Sequence, residues 1–385
     1  MRILIALLDG VGMGELPDAA YYNDRGSHTL RNTARAVGGL HLPVLASLGL
    51  GLIDEIPGVP QPVSSQASYG KMLEQSPGKD TTTGHWEIAG LILDQPFPLY
   101  PEGFPNRIID AVQKYFGKPV LGNVPASGTD IIARLGNEHL RTGAPIVYTS
   151  ADSVFQVAAH VAVIPPEELY RFCEYARRIL TGKDAVARVI ARPFEGNAGN
   201  YVRTGGRRDY SLPPPARTLL DVLVAEGKIT IGVGKIKDIF ANRGVTRSYK
   251  TSGNRETFAV FRELANSGEG DLVWANFNDF DSLYGHRNDP RGFAKAIEEW
   301  DRELAELLEI LTGNDVLLIT SDHGCDPTFP GTDHTREYAP LLMYAPTLSP
   351  SHSLGVRKTF ADIAATASCV LNVSWAGPGT AFFPA

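Results

Sequence analysis

Three apolar runs of this chain end in acidic or histidine side chains, and this pattern constrains the fold more than any other feature. The runs and the residues that follow them are RILIALL with Asp9, DLVWANFN with Asp279 and Asp281, and DVLLIT with Ser321, Asp322 and His323. In open α/β sheets, ligands bind beyond the carboxyl ends of the strands. We therefore expect three strands to bring these side chains to one edge of a single sheet.

The side chains at these strand ends, together with two nearby histidines, have the chemistry of metal ligands. The candidate ligands are three carboxylates and three imidazoles: Asp9, Asp281, His286, Asp322, His323 and His334. Mn²⁺ and Zn²⁺ accept such a mixture, whereas Ca²⁺ uses oxygen almost alone. Any one of these residues alone would more often be a buried histidine or a helix N-cap. The joint pattern predicts a metal centre with two divalent ions.

Other residues in the same loops leave the choice of ligands open. Asp279 and Asp333 are candidates for groups that orient the ligands, and Asp326 lies close to them in the sequence. Cys325 is either a soft metal ligand or a small packed residue, and the second role is the commoner one. The number of acids therefore cannot identify the ligands.

The segment GKDTTTGHWE, residues 78–87, combines three threonines with a lysine, an aspartate and a glycine. A hydroxyl at a turn into a helix faces unpaired N–H groups and the positive end of the helix dipole, and both favour a phosphate. A threonine becomes a useful nucleophile when a metal or a base activates it. Alone, the segment would be a threonine-rich turn with ordinary capping. Beside a metal centre it predicts a phosphoryl-transfer nucleophile.

Composition and charge exclude several classes of protein. The formal net charge is −7, which argues against nucleic acid as the main partner because phosphate backbones are held by dense basic surfaces. The apolar run ILIALL near the N-terminus is too short for a signal sequence or a membrane span. The three cysteines lack the spacing of a disulfide framework, which is typical of a reducing compartment. We expect a cytoplasmic protein that contacts no membrane.

Two proline-rich stretches, residues 94–105 and 210–217, bracket a segment with its own strand and helix patterns. We expect a discontinuous core, residues 1–96 and 214–385, and an inserted domain, residues 97–213. The insert carries a net charge of about +3, whereas the remainder carries about −10. Five arginines lie between residues 188 and 208. This basic strand fits either a phosphorylated substrate or an ordinary solvated surface.

Strand and helix patterns alternate along most of the chain. Helices are predicted over 166–180, 217–227 and 292–312, and strands over 145–150, 186–194 and 228–234. Such alternation predicts an α/β fold with a mostly parallel sheet sandwiched by helices. The insert is predicted to be a smaller α/β domain.

Five motifs together resemble the bacterial-type phosphopentomutase family, which belongs to the alkaline phosphatase superfamily. They are DGVGMGELPDA, GKDTTTGHWE, NDFDSLYGHRNDP, SDHGCDPTFPGTDHTREY and, in the insert, YTSADSVFQVAAH. The resemblance runs in order through most of the chain. It implies an alkaline-phosphatase-like core with an inserted cap domain that binds the substrate.

The resemblance also implies a reaction and a role for each site residue. The family interconverts ribose 1-phosphate and ribose 5-phosphate, and the 2-deoxyribose pair, with two metal ions, usually Mn²⁺, and a phosphothreonine. In this chain the nucleophile would be Thr81. One ion would bind Asp9, Asp322 and His323, and the other Asp281, His286 and His334. The substrate contacts implied by the resemblance are Ser150, Asp152, Arg188 and Lys235. A sugar bisphosphate would act as activator, and nothing in the sequence requires more than a monomer.

Three alternatives remain open at this point. A phosphatase or phosphodiesterase of the same superfamily needs the same metals, although it gains nothing from an insert that shields the site from water. Cofactor-independent phosphoglycerate mutase is a relative with the same metals, but it uses serine as nucleophile and is considerably longer. A catalytically silent sugar-phosphate sensor would be expected to lack Thr81 or one of the six ligands, and all seven are present.

Overall fold

The structure is a computed structural model that describes residues 1–150, 153–347 and 351–383. The chain divides into two compact units. The first, here called the core unit, comprises Met1–Pro96 and Pro214–Ala385, and the second, the inserted unit, comprises Phe97–Pro213. No helix among the described residues is both long enough and apolar enough to cross a bilayer.

Fourteen strands are present in the described residues, and most follow the apolar runs of the sequence. They are β1 (Arg2–Leu8), β2 (Ser68–Met72), β3 (Leu121–Pro125), β4 (Ile146–Thr149), β5 (Val154–His160), β6 (Arg188–Asn197), β7 (Asn200–Arg203), β8 (Arg208–Ser211), β9 (Thr230–Val233), β10 (Arg247–Tyr249), β11 (Leu272–Phe277), β12 (Asp315–Thr320), β13 (Ala339–Tyr344) and β14 (Ser353–Arg357).

Twelve α-helices lie between these strands in the described part of the chain. They are α1 (Thr29–Val37), α2 (Pro43–Ser47), α3 (Leu50–Ile53), α4 (Thr81–Ile88), α5 (Asn106–Phe116), α6 (Gly128–Thr142), α7 (Pro166–Ile179), α8 (Leu219–Ala225), α9 (Ile236–Ile239), α10 (Asn254–Ser267), α11 (Pro290–Ile310) and α12 (Asp362–Val370). A π-helical turn (Phe280–Tyr284) and a 3-10 turn (Gly285–Arg287) follow β11.

The core unit is built on one eight-stranded sheet with the order β10-β9-β11-β1-β12-β13-β2-β14. Strands β10, β9, β11, β1 and β12 run parallel to one another. Strand β13 runs antiparallel to both β12 and β2. The sheet is therefore mostly parallel, and β11, β1 and β12 lie side by side at its centre.

The centre of this sheet is apolar on both faces, because helices cover both. Leu4, Ala6 and Leu8 of β1 join Phe261 of α10 and Ile297 of α11 in one buried cluster. The alternate residues of β1 are equally buried. Continuous burial along a strand is typical of a parallel sheet between two helical layers, and it explains why RILIALL has no polar alternation.

The long helix α11 shows how the sequence specifies one of these layers. Its buried residues recur every three or four positions, from Phe293 to Leu307, so that one face is apolar. The helix begins at Pro290, and the side chain of Asp289 accepts a hydrogen bond from Gly292 N. Proline at the first position and an aspartate before it are standard helix starts.

The inserted unit has a six-stranded mixed sheet of its own, with the order β3-β4-β5-β6-β7 and with β8 paired to β6. Its core contains Phe155 of β5 and Phe172 of α7, and a second cluster contains Tyr148 and Phe194. The helix predicted over 166–180 and the strand predicted over 186–194 correspond to α7 and β6. The prediction of an α/β fold with a mostly parallel core sheet is confirmed.

Candidate metal centre

Four adjacent strands of the core sheet end at the same edge, which we call the carboxyl edge. Strands β9, β11, β1 and β12 are neighbours, and Leu8 of β1 pairs with Phe277 at the end of β11. Directly beyond these ends lie Lys235, Asp281, Asp9 and the pair Asp322–His323. The sheet register therefore places the polar residues of separate sequence segments at one level.

Two groups of side chains at the carboxyl edge are close enough to hold metal ions. Ligand atoms of Asp281, His286 and His334 lie within 4.8 Å of one another, and so do those of Asp9, Asp281 and His323. Asp281 therefore belongs to both groups. The sequence-based division placed Asp322 rather than Asp281 with Asp9 and His323. In the structure Asp322 Oδ2 lies 3.3 Å from His323 Nε2, so all six predicted ligands lie together.

The charges in this cluster favour a cation. Burial would raise the pKa of Asp281, but the neighbouring His334 and His286 hold that pKa well below its usual value. Burial and the charge of Asp9 raise the pKa of Asp322, yet His323 and His85 lower it to about 2. Buried carboxylates that stay ionised require positive charge nearby. In the absence of a metal, imidazoles are the groups closest to these oxygens.

Several buried oxygens at the carboxyl edge accept no hydrogen bond within the described part of the chain. They are Oδ1 of Asp9, Oδ1 of Asp281 and Oδ2 of Asp322. Buried polar atoms are normally satisfied, and exceptions need a physical reason such as an ion. Each of these oxygens faces an imidazole nitrogen, at 3.4 Å from His323 Nε2, 3.3 Å from His286 Nε2 and 3.1 Å from His85 Nδ1 respectively.

The orientation of two histidine rings also fits metal binding. Nδ1 of His286 lies 2.6 Å from the carbonyl oxygen of Thr332, and Nδ1 of His323 lies 3.0 Å from that of Gly324. A carbonyl can only accept, so each Nδ1 carries the hydrogen and each Nε2 points at the carboxylates. Metal-binding histidines are commonly held in this way. The donor set and its orientation therefore fit divalent ions.

Thr81, the predicted nucleophile, lies beside this cluster. It is the first residue of α4, and its Oγ1 lies 3.2 Å from His323 Nε2. The Asp80 carboxylate caps the helix by accepting hydrogen bonds from Thr82 N and Thr83 N. These two N–H groups, which the sequence alone would leave open for a phosphate, are thus already satisfied. Positive charge for a phosphoryl group on Thr81 must come mainly from elsewhere.

Gly84 explains how α4 approaches the acidic and histidine side chains of the carboxyl edge so closely. A Cβ atom at this position would overlap the backbone carbonyl of Asp322. The glycine therefore lets the helix pack directly on the chain beyond β12. This contact sets the position of Thr81 relative to His323, since both follow from the packing of the same two segments.

The structure gives other roles to the extra acids of these loops. Oδ2 of Asp279 accepts a hydrogen bond from Asn254 N at the start of α10. Oδ2 of Asp326 accepts from His28 N, and its Oδ1 accepts from Thr328 N. Asp333 accepts from His334 N and lies 3.2 Å from the Lys79 ammonium. Of the three, Asp333 contacts a proposed metal ligand, because it accepts a hydrogen bond from the backbone of His334.

Cys325 is buried at the same edge, and its side chain packs against Gly10 and Gly285. Burial and the negative charge of Asp281 raise the pKa of its thiol well above the usual value. A thiol must lose its proton to bind a metal. Cys325 also belongs to neither group of converging ligand atoms among the described residues, which favours the packed role, the commoner of the two considered above.

The predicted substrate residues are distributed over both units. Lys235 follows β9 in the core unit, and its Nζ lies 3.3 Å from Asp9 Oδ2. Arg188 begins β6 of the inserted unit, 3.9 Å from Asp209, and Ser150 directly follows β4. Asp152 lies outside the described residues. The structure thus places Lys235 beside Asp9, and the substrate roles of all four residues stay predictions.

Sequence reasoning missed two buried residues that contact the cluster. His85 lies one turn after Thr81, and its Nε2 is 3.1 Å from Asn276 Oδ1. Asn276 donates from Nδ2 to Asp9 Oδ2 at 2.8 Å. Each carried a signal: His85 is four residues from Thr81 on the same helix face, and Asn276 is a polar residue inside an apolar strand run.

Comparisons with known proteins agree with this fold and cluster. A family model described as "Metalloenzyme superfamily" matches residues 1–374. The solved structure of PH0037 protein from Pyrococcus horikoshii is similar to 96% of this chain, with 96% of that chain covered, a TM-score of 0.51 and 16% identity. That likeness supports the fold alone. The class defined here is a metalloenzyme with an alkaline-phosphatase-like fold.

Two relatives narrow the class further. Phosphopentomutase from Dictyoglomus thermophilum is 57% identical over 372 residues, covering 97% of this chain and 95% of the relative. Phosphopentomutase from Thermotoga maritima is 54% identical over 384 residues, covering 99% of this chain and 98% of the relative. The chain belongs to the phosphopentomutase family and is an enzyme, an isomerase.

Proposed function

We propose that this enzyme interconverts ribose 1-phosphate and ribose 5-phosphate, and the 2-deoxyribose pair, through a phosphothreonine at Thr81. The observation that carries the proposal is the Thr81 hydroxyl, 3.2 Å from His323 Nε2 in a buried cluster of carboxylates and imidazoles. A hydroxyl so placed can take up and release a phosphoryl group. The identity of 54–57% to phosphopentomutases supports the same substrates.

We propose two divalent ions, Mn²⁺ in the first instance and Zn²⁺ as the alternative. Asp281, His286 and His334 would hold one, and Asp9, Asp322 and His323 the other. When bound, such ions neutralise the charge on phosphoryl oxygens and help the Thr81 hydroxyl lose its proton. The first group is supported by ligand atoms that converge within 4.8 Å. In the second, Asp281 also contributes an atom close to Asp9 and His323.

The proposed reaction has two transfers. In the first, the 5-hydroxyl of ribose 1-phosphate attacks the phosphorus on Thr81; the bond between Oγ1 and phosphorus breaks, the substrate hydroxyl loses its proton while Oγ1 gains one, and ribose 1,5-bisphosphate forms. In the second, the bisphosphate binds in the opposite sense, Oγ1 gives up its proton and bonds to the phosphorus on O1, and the bond between O1 and phosphorus breaks as O1 gains a proton. Ribose 5-phosphate leaves, and Thr81 carries phosphate again. A sugar bisphosphate would activate the enzyme because it can phosphorylate Thr81.

The substrate must also be held by its other phosphate, and we propose that the inserted unit supplies this contact. Its residues proposed for the role are Ser150, Asp152 and Arg188, with Lys235 of the core unit near the reacting group. Burial raises the pKa of Asp209, but the guanidinium of Arg207, followed by those of Arg188 and Arg192, lowers it below its usual value. Several arginines therefore surround one carboxylate, and such a group suits phosphate binding.

We further propose a monomeric, cytoplasmic enzyme acting on small sugar phosphates. All six proposed metal ligands come from one chain, so the proposed chemistry requires no second copy. Cys173, Cys325 and Cys369 are unpaired, which is typical of proteins in a reducing compartment.

The proposal is tested by a coupled assay that follows ribose 5-phosphate formed from ribose 1-phosphate. The assay contains Mn²⁺, with and without a trace of sugar bisphosphate, and free phosphate is measured in the same tube. Fast isomerisation with little phosphate release, increased by the bisphosphate, would support the mutase. Phosphate release without isomerisation would instead identify a hydrolase.

Replacing Thr81 tests the nucleophile. Thr81→Ala should lower turnover by at least about a thousandfold, because the phosphoryl acceptor is lost. Metal content and thermal stability should be unchanged, since the hydroxyl contributes no ligand in the proposed set. Thr82→Ala is the matched control and should retain turnover. Near-normal turnover of Thr81→Ala would contradict the assignment.

A further inference from the structure

A chain of buried side chains connects the backbone of the proposed nucleophile to a proposed metal ligand. His85 Nδ1 lies 2.8 Å from the carbonyl oxygen of Thr81, and its Nε2 lies 3.1 Å from Asn276 Oδ1. Asn276 Nδ2 donates to Asp9 Oδ2 at 2.8 Å. The connection thus passes from α4 through β11 to the end of β1.

The carbonyl of Thr81 fixes the direction of these bonds. It can only accept, so His85 Nδ1 carries a hydrogen and donates it. At the other end, the Asp9 carboxylate accepts from Asn276 and thereby requires the amide nitrogen on its side. The amide oxygen must then face His85 Nε2. Each ring nitrogen of His85 therefore faces an oxygen acceptor, and reversing either side chain would break a contact.

The ring of His85 is held in a single plane by packing. It stacks on Trp274, with 5.5 Å between ring centroids and 8° between planes. His85 is fully buried, and Asn276 is nearly so. Nδ1 of His85 also lies 3.1 Å from Asp322 Oδ2, a second proposed metal ligand. A rigid ring thus touches the nucleophile segment and two ligand segments at once.

We propose that His85 and Asn276 are positioning residues that set the distance between Thr81 and the metal ions. The bond from Asn276 occupies Asp9 Oδ2, which leaves Asp9 Oδ1 directed at His323 Nε2, 3.4 Å away. The bond from His85 holds the carbonyl of Thr81 and so fixes the start of α4. Groups that orient metal ligands typically change metal affinity 10- to 100-fold when they are removed. This inference rests on the divalent-metal centre of the proposed function.

The test uses two variants that keep the shape of each side chain and remove its polar atoms. His85→Phe keeps the stacked ring, and Asn276→Leu keeps the branched shape. Mn²⁺ is titrated into the full-length, unphosphorylated protein by calorimetry, and circular dichroism reports folding. We expect each variant to bind Mn²⁺ about 10- to 100-fold more weakly. The double variant should bind Mn²⁺ no more than about threefold more weakly than whichever single variant has the lower Mn²⁺ affinity. Each single substitution already cuts the same connection, so the second one adds little.

A matched control separates positioning from general loss of stability. His139 is another fully buried histidine, in the inserted unit, whose partners are the Ala144 carbonyl and the His160 amide. His139→Phe should lower the melting temperature but leave Mn²⁺ affinity unchanged. For His85→Phe and Asn276→Leu, kcat should fall at least tenfold while KM for the sugar phosphate changes little, because misplacing a nucleophile affects the chemical step.

The outcomes distinguish this inference from the proposed function. If both variants bind Mn²⁺ with wild-type affinity and keep wild-type kcat, the inference is wrong, whatever their melting temperatures. Should His85→Phe fail to fold, Asn276→Leu alone decides. If the wild-type protein binds Mn²⁺ but does not isomerise ribose 1-phosphate, the proposed function fails, and the titration still tests the inference. A wild-type protein that binds neither Mn²⁺ nor Zn²⁺ would overturn both.

Discussion

Buried carboxylates occur in two different settings in the core unit. Asp9, Asp281 and Asp322, at the carboxyl edge, each keep one oxygen that accepts no hydrogen bond within the described residues. Glu87 is on α4, the helix that begins with Thr81, and its two oxygens accept hydrogen bonds from Gln75 N, Ser76 N, Phe360 N and Thr359 Oγ1. Both settings are equally buried.

The two settings differ in the kind of group that lies next to each carboxylate. Around Glu87 the neighbours are backbone and hydroxyl donors, so hydrogen bonds within the protein stabilise the carboxylate. Asp301 is similar, since it accepts from Val44 N and Leu45 N at the start of α2. At the carboxyl edge, each oxygen that accepts no hydrogen bond faces an imidazole nitrogen that can itself bind a metal. Burial alone therefore does not identify a metal site, whereas imidazoles beside such oxygens indicate one.

The largest difference between the settings should appear when Asp281 is neutralised. Asp281→Asn should reduce turnover by at least about a thousandfold, because this residue lies in both ligand groups. Mn²⁺ affinity should fall as well, because Oδ1 of Asp281 lies 3.3 Å from His286 Nε2 and 3.2 Å from His334 Nε2. Turnover is followed with the coupled assay and stability by urea unfolding. A large loss of stability without loss of metal binding would remove the distinction between the settings.

The opposite result is expected for Glu87. Glu87→Gln should cost roughly 3 kcal/mol of unfolding free energy, because one amide N–H₂ would face donors that now bond to a carboxylate. Mn²⁺ affinity of the folded protein should change less than threefold. Urea unfolding with chelator present, followed by Mn²⁺ titration, measures both quantities. Equal losses in Asp281→Asn and Glu87→Gln would show that the two settings do not differ.

Proton release on metal binding should further distinguish the carboxyl edge from the setting of Glu87. Burial lowers the pKa of a histidine, but the carboxylates of Asp322 and Asp9 raise that of His323 well above its ordinary value. The metal-free protein therefore holds a proton on His323 at and below neutral pH, and an ion must displace it. Mn²⁺ affinity should fall about tenfold for each unit of pH below the raised pKa. Calorimetry in two buffers of different ionisation enthalpy counts the protons, and an affinity independent of pH between about 6 and 7 would contradict the prediction.

The smallest effect is expected at Asp279, two residues before Asp281. Asp279→Ala should cost about 1 kcal/mol, because Asp279 accepts from Asn254 N at the start of α10. Turnover and Mn²⁺ affinity should stay within about twofold of the wild type. Thermal unfolding together with the Mn²⁺ titration checks this, and any large loss of affinity would place Asp279 in the metal centre.

The sequence predicted the strands at the carboxyl edge because continuous apolar runs and the polar residues after them are local features. The sequence did not predict the order of the strands, but parallel strands of one sheet have their carboxyl ends at the same edge. The choice among neighbouring acids was not predictable in the same way. Asp279 and Asp281 are two residues apart, and the side chains separate because the π-helical turn directs one to α10 and the other inward.

His85 and Asn276 were missed for a related reason. Their proposed role depends on a contact between α4 and β11, and the two residues are 191 positions apart in the sequence. The spacing along α4 places His85 on the same helix face as Thr81, but it does not identify Asn276 as the partner of His85. Likewise, an aspartate before a helix indicates an N-cap, but only the structure shows that Asp80 accepts from both Thr82 N and Thr83 N.

The order of strands in the core sheet also has a consequence for synthesis of the chain. Strand β1 is made well before its partners β11 and β12, which begin at residues 272 and 315. At translation rates of 5–20 residues per second, β1 waits on the order of 13–50 s for β11. The inserted unit, whose strands end at Ser211, is complete well before that. A nascent chain of this enzyme therefore carries a complete inserted unit between two unfinished segments of the core unit, and its apolar strand β1 lacks both of its partner strands during that time.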